Sequence, residues 1–180
     1  MLFLGGCYPK QPKNLRINQV ETPSPTPDDS LKEPVFFKGT ELKAQEGDRK
    51  YWSLKAEKAT YDEERKTAGA QLIECTFYNA RNEAVLFVFA SGANVSLDSD
   101  SVDFQGDVQV KAASGEELIV KKLRWDGKKK KLEGEGGVKI VRKYSVMTAR
   151  RMIADPELKN VELYEDVRVN YKDADNIFSF

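Results

Sequence analysis

The sequence predicts an all-β fold, an elongated antiparallel β-jellyroll (β-taco) built from two-strand repeats of about thirty residues. Three observations predict it. Val102-Asp-Phe-Gln-Gly106-Asp-Val108-Gln-Val110, Leu132-Glu-Gly-Glu-Gly136-Gly-Val138-Lys-Ile140 and Val161-Glu-Leu-Tyr-Glu165-Asp-Val167-Arg-Val169 start 30 and 29 residues apart. Each alternates apolar with polar at period two, the pattern of a half-buried strand. A second element recurs before them, and turn residues close it.

That second element is Ala56-Glu-Lys-Ala59-Thr-Tyr61-Asp62, Val120-Lys-Lys-Leu123-Arg-Trp125-Asp126 and Ala149-Arg-Arg-Met152-Ile-Ala154-Asp155. Ala90-Ser-Gly-Ala93-Asn-Val95-Ser96 is a weaker copy without the aspartate. Its three-residue apolar step breaks strict alternation, which a bulge accommodates. A helical i, i+3 pair is the alternative for Ala56 and Ala149, but the β-favouring Val120 and Trp125 share their register. Gly106 and Gly136 share a register in the first element, as at a bulge or bend. Asp126-Gly127 and Asp155-Pro156 read as turns. A degenerate copy of the first element starts at Leu72, with Tyr78 at the Val108 register. Val35-Phe36-Phe37 and Tyr51-Trp52-Ser53-Leu54 are expected to form the first strand pair. Residues 85–90 are apolar at both parities, so this part of the sheet is expected to be covered on both sides.

One hairpin cannot bury its apolar face alone. Stacked hairpins can, each leaning on the next. Nothing in such a stack closes its ends, so both should expose backbone edges.

The N-terminal part reads differently. Leu4-Gly5-Gly6-Cys7 looks like a bacterial lipobox, making residues 1–7 a lipoprotein-signal remnant with Cys7 as the lipidated residue. Six residues precede Cys7 and none is basic, shorter than a full signal peptide. Residues 8–34 carry Pro9, Pro12, Pro23, Pro25, Pro27 and Pro34 in a polar run. Such a segment buries too little apolar surface to offset its ordering entropy and reads as a disordered, extended tether. Residues 35–180 form the β domain.

Composition narrows the function. Lys+Arg and Asp+Glu both number 29, whereas nucleic-acid proteins carry a basic excess. Histidine is absent, so a Ser-His-Asp or Cys-His site cannot be built, and the reading is a non-enzyme without cofactor or metal. Cys7 and Cys75 make neither a disulfide framework nor a metal site, and Cys75 reads as a small buried hydrophobe. Asp98, Asp100, Asp103 and Asp107 lack the spacing of a calcium loop. Lys128-Lys129-Lys130-Lys131 could meet phosphates or an anionic membrane, but reads first as a solvated hairpin tip. Trp52, Phe104 and Trp125 are core residues before they are ligand contacts.

The ordered series Trp52-Ser-Leu-Lys-Ala56-Glu-Lys-Ala59-Thr-Tyr61-Asp62, Phe104-Gln-Gly106-Asp107-Val108, Leu123-Arg-Trp125-Asp126 and Ala149-Arg-Arg-Met152-Ile-Ala154-Asp155 resembles the periplasmic lipopolysaccharide transport proteins of the LptC type. These share a β-jellyroll with LptA and OstA-like proteins. The resemblance runs over residues 36–171. It implies a protein of the periplasm, here anchored to the inner membrane through an N-terminal lipid. It also implies three partners: lipopolysaccharide, an inner-membrane ABC exporter and an LptA-like bridge protein. Many members carry an N-terminal transmembrane helix where this chain shows a lipobox. The rival readings are a soluble LptA-like bridge and a structural envelope lipoprotein with a solid core.

An acyl chain costs about 0.8 kcal/mol per CH₂ to expose to water, so a carrier must shield it in an apolar groove. The candidates for that lining are Phe87, Phe89, Phe104, Val108, Leu118 and Val120. Further along the chain they are Trp125, Val138, Ile140, Met152, Leu163 and Val167. The inward parity is not fixed by the sequence. Val161, Leu163, Val167, Val169 and Tyr171 form the expected edge for the bridge partner, and residues 35–54 the expected contact with the exporter.

Overall fold

The computed structural model describes residues 15–18 and 35–171, with side chains from 38 onward. The described residues form one antiparallel sheet of twelve strands. These are β1 (Leu15–Asn18), β2 (Val35–Glu46), β3 (Arg49–Asp62), β4 (Thr67–Tyr78), β5 (Ala84–Ser96), β6 (Ser101–Gln105) and β7 (Val108–Ala112). They continue as β8 (Glu117–Asp126), β9 (Lys131–Arg142), β10 (Ser145–Ala154), β11 (Val161–Tyr164) and β12 (Arg168–Tyr171). From β2 to β10 the path is a meander in which β6 and β7 together fill one strand position between β5 and β8. β11 and β12 likewise share the last position, both against β10.

Every long strand breaks at the same place. Pairing skips Glu57 and Leu72 between β3 and β4, Leu72 and Ser91 between β4 and β5, and Lys121 against Gly136-Gly137 between β8 and β9. Arg150 meets the same Gly136-Gly137 between β9 and β10. Gly106-Asp107 separates β6 from β7, and residues 165–167 separate β11 from β12. Positive φ collects on this line, at Gly39, Leu72, Gly106, Gly136, Gly137, Glu165 and Asp166. The line is a crease. It splits each strand into one limb in half-sheet I, whose turns are residues 63–66, 97–100, 127–130 and 155–160, and one in half-sheet II, whose turns are 47–48, 79–83, 113–116 and 143–144.

The crease explains the three-residue step. Ala56 and Ala59, Ala93 and Ala90, Val120 and Leu123, Ala149 and Met152 straddle it, one in each half-sheet. The inserted residue of the bulge sits on the first-element strand, at Gly136-Gly137, rather than on the strand with the step. Gly106 needs its φ of +86°, and a Cβ there would stand 1.9 Å from Ser91 Oγ. The recurring aspartate is a turn former: Asp62 accepts the Arg65 amide at 3.0 Å, Asp126 those of Lys128 and Lys129, and Asp155 those of Lys159 and Asn160.

Four sequence expectations are corrected here. The first strand pair is offset: Val35 to Phe37 face Tyr61 to Ala59, while Leu42 and Ala44 face Leu54 and Trp52. A strand longer than either apolar cluster forced that register. The early repeat copy starts at Ala68, not Leu72, because Ala68 pairs with Val95 and Val95 with Val102. The outer side of residues 85–90 is not covered, since Phe89 is 38% exposed. Within the expected tether, Leu15–Asn18 pairs with Glu41 to Ala44, so a short strand stands there. Cys7 and the rest of 8–34 other than that strand lie outside the described residues.

Candidate functional site: a creased apolar interior

The interior lies between the two half-sheets. Phe77 of half-sheet II packs edge-on to Trp125 of half-sheet I at 5.0 Å and to Phe104 at 6.5 Å between ring centroids. Leu54, Cys75, Leu86, Val88, Val110 and Ile140 contribute from half-sheet II, and Val95, Val102, Leu123, Leu132 and Met152 from half-sheet I. Extensive Cα approach within 8 Å occurs only between hydrogen-bonded neighbours. The half-sheets therefore face each other through side chains, with backbone continuity at the crease alone.

Opposite the crease is a mouth, where the turns of I meet the turns of II. Contacts among the described residues cross it. The Trp52 indole N–H donates to Asp100 Oδ1 at 3.3 Å. Lys130 Nζ sits 5.2 Å from the Tyr51 ring centroid. Arg142 donates to the Leu158 carbonyl at 3.2 Å, and the Leu158 side chain, 1% exposed, plugs the core below. Tyr51 reaches the mouth because it is the extra residue of a bulge, between the Lys50–Gln45 and Trp52–Ala44 pairs. Its hydroxyl donates to Glu46 at 2.8 Å, and burial holds the phenol above its ordinary value.

The interior is tightly packed around Gly134. Gly134 has no room for a Cβ, which would stand 2.7 Å from Met152 Cγ and 3.3 Å from Val120 Cγ2. Concavities of about 400 and 610 Å³ lie along the crease, lined largely by polar and charged residues such as Lys58, Gln71, Lys121 and Glu135. One of about 500 Å³ lies at the mouth beside Leu158 and Arg142. The Trp125 indole N–H is buried without a hydrogen-bond partner, an orphan donor in an apolar interior.

Eight of the twelve lining candidates, Phe104, Val108, Leu118, Val120, Trp125, Val138, Ile140 and Met152, are buried inside. Leu163 packs partly against that core. Phe87 and Phe89 point the other way. They pair with Thr76 and Glu74 on the outer face, because Leu86 and Val88 take the inward parity of a strand apolar on both sides. Val167 has inward parity but is 48% exposed, since no strand among the described residues lies beyond β12. Val169 and Tyr171 are exposed for the same reason. Sequence reasoning missed Leu158 and Phe77. Leu158 is the one aliphatic residue in the turn 155–160, a signal that could have marked it as a plug.

The four lysines are not one patch. Lys129 bridges Asp126 and Glu133 at 3.2 and 3.0 Å, and Lys130 covers Tyr51. The Lys129 amide hydrogen bond holds the Asp126 carboxyl below its ordinary value. Among the described residues no group of His, Cys, Asp and Glu is placed to hold a metal, and no helix is long and apolar enough to cross a membrane.

A single sheet creased over an apolar interior is the architecture of the β-jellyroll proteins. LptH, the LptA homologous periplasmic component of the conserved lipopolysaccharide transport device from Pseudomonas aeruginosa, has a similar structure. Its TM-score is 0.54 at 8% identity, over 67% of this chain and 93% of that one, a likeness of fold. Residues 12–172 match the family described as lipopolysaccharide-assembly, LptC-related, and the chain belongs to that family. No curated protein matches the sequence.

Proposed function

We propose that this chain works in lipopolysaccharide transport as a non-catalytic carrier, shielding acyl chains between its half-sheets. The observation that carries the reading is the pair of apolar faces joined by backbone only along the crease. Spreading the mouth would expose a continuous apolar trough without breaking a ladder hydrogen bond. The core side chains that meet across the trough would then meet hydrocarbon instead, so the apolar area kept from water is largely conserved. The orphan Trp125 N–H would find an acceptor in an acyl ester or hydroxyl oxygen, as buried donors require.

The chain would receive lipid from an inner-membrane ABC exporter near residues 35–54 and pass it to a periplasmic bridge protein at β11 and β12. Among the described residues β11 and β12 have an unpaired outer edge, and β2 has one outside the stretch that β1 covers at Glu41 to Ala44; such edges suit strand addition. An acylated Cys7 would hold the domain at the inner membrane. Lipid mass spectrometry of protein purified from its native envelope tests the carrier role: bound lipopolysaccharide supports it, and lipid-free protein from cells actively exporting lipopolysaccharide counts against it. Val169→Asp should abolish capture of the bridge protein, and retained capture would refute that edge.

A further inference from the structure

We infer that the outer face of half-sheet I carries a binding trench for an anionic, N-acetylated glycan, separate from the apolar interior and independent of lipid carriage. The concavities of about 400 and 610 Å³ along the crease meet at Gln105. Together they run from Lys58 on β3 to Glu135 on β9. That path crosses six neighbouring strand positions, about 24 Å at the usual strand spacing. The trench exists because the face loses its side chains there. Gly69 and Gly92 stand at outward positions of β4 and β5, beside the buried Ala70 and Ala93. A Cβ on Gly69 would stand 2.9 Å from Thr60 Oγ1, and one on Gly92 3.2 Å from the Ala70 carbonyl oxygen. Glycines inside strands often mark a close approach by a ligand or another backbone. Among the described residues no strand packs across this face, which leaves the ligand. Beside the glycines the pairing lapses, with Gln105, Gly106 and Asp107 left opposite Lys121 and Lys122.

The chemistry of the walls selects the ligand. Gln71, Asn94 and Gln105 line the trench, and among the described residues their side-chain amides make no hydrogen bond. Each offers a donor and an acceptor side by side, a match for vicinal hydroxyls and acetamido groups. The acids of the trench are already partnered. Asp103 takes both of its hydrogen bonds from Arg124 at 2.9 Å, Glu133 meets Lys129 at 3.0 Å and Glu135 lies 3.8 Å from Arg151. Lys58, Lys121 and Lys122 have no carboxylate partner among the described residues, so the surplus charge is positive and suits carboxylates spaced along a polymer. Other ligands fit less well. An extended peptide would find no ladder, since the floor strand β4 is paired on both sides. No large apolar or aromatic side chain is exposed in the trench, which leaves nothing to enter a bilayer or to stack on a base. The saccharide of a lipid seated between the half-sheets would leave by the mouth, on the side away from the crease. The ligand is therefore a separate polymer, and cell-wall glycan, with its acetamido and carboxylate groups, has the required chemistry.

The full chain with Cys7→Ser should co-sediment with purified peptidoglycan sacculi at low salt and be released as salt rises, because exposed charges are screened. Lys58→Glu with Lys122→Glu should weaken that binding about tenfold. Gln71→Ala with Asn94→Ala should weaken it severalfold. All four side chains are exposed, so both double variants should keep the native urea midpoint, which separates lost binding from lost folding. Lys55→Glu with Lys139→Glu makes the same change of net charge on the outer face of half-sheet II and should bind as the native chain does. No co-sedimentation, equal losses from the two lysine pairs, or binding of acyl-free lipopolysaccharide saccharide in place of sacculi would overturn the inference.

Discussion

The Trp52 indole donates to the Asp100 carboxylate at 3.3 Å and so ties half-sheet II to a turn of half-sheet I. Both residues are buried at the mouth. The bond joins limbs that share no backbone pairing there, so it acts as a latch on the line where the interior would open.

Trp52→Phe removes the donor and some volume, and should cost about 1–3 kcal/mol in urea unfolding. Asp100→Asn keeps a carbonyl acceptor for the indole and should cost less. Amides in the turn 97–100 should exchange faster in Trp52→Phe than in the native chain. Equal exchange in both would show that the latch does not hold the mouth.

Inward and outward aromatics on neighbouring strands should differ sharply. Phe77→Ala empties a fully buried site and should cost about 3–5 kcal/mol. Phe89→Ala, on the outer face, should stay within about 1 kcal/mol. Comparable losses would mean the inward parity of β4 and β5 is misassigned.

Gly134→Ala should destabilise by about 1–3 kcal/mol through overpacking against Met152 and Val120. Combining it with Met152→Ala should cost less than the two single losses added together, because the new methyl occupies space that Met152 leaves. Additive losses in denaturant midpoints would place the two residues out of contact.

Burial raises the Cys75 thiol well above its ordinary value of 9.0. The native chain holds that proton where the unfolded chain loses it. The Cys75 contribution to stability is therefore complete below pH 9.0 and falls as pH rises above it. A Cys75→Ala variant should show a shallower loss of stability on the alkaline side than the native chain. Parallel pH curves would mean the thiol is not buried in the folded state.

Much of the fold was legible because its repeat is a pattern of side chains. Gly106, Gly136 and the recurring Asp62, Asp126 and Asp155 mark bends and turns whose chemistry is local. The crease was visible only as a three-residue step, since one strand cannot reveal that all its neighbours break along the same line. Phe87 and Phe89 are lining candidates on sequence alone because residues 85–90 are apolar at both parities, and only pairing with Thr76 and Glu74 separates the faces. The mouth was not legible at all. Trp52 and Asp100 are 48 residues apart and meet only once the sheet has folded over.

The most direct test of acyl chains lying between the half-sheets is photo-crosslinking in cells exporting lipopolysaccharide. Crosslinkers at Leu118, Val120 and Trp125 should capture it, while those at Phe87 and Phe89 on the same sheet should not. Adducts at the outer positions alone, or at none of the five, would contradict carriage through the interior.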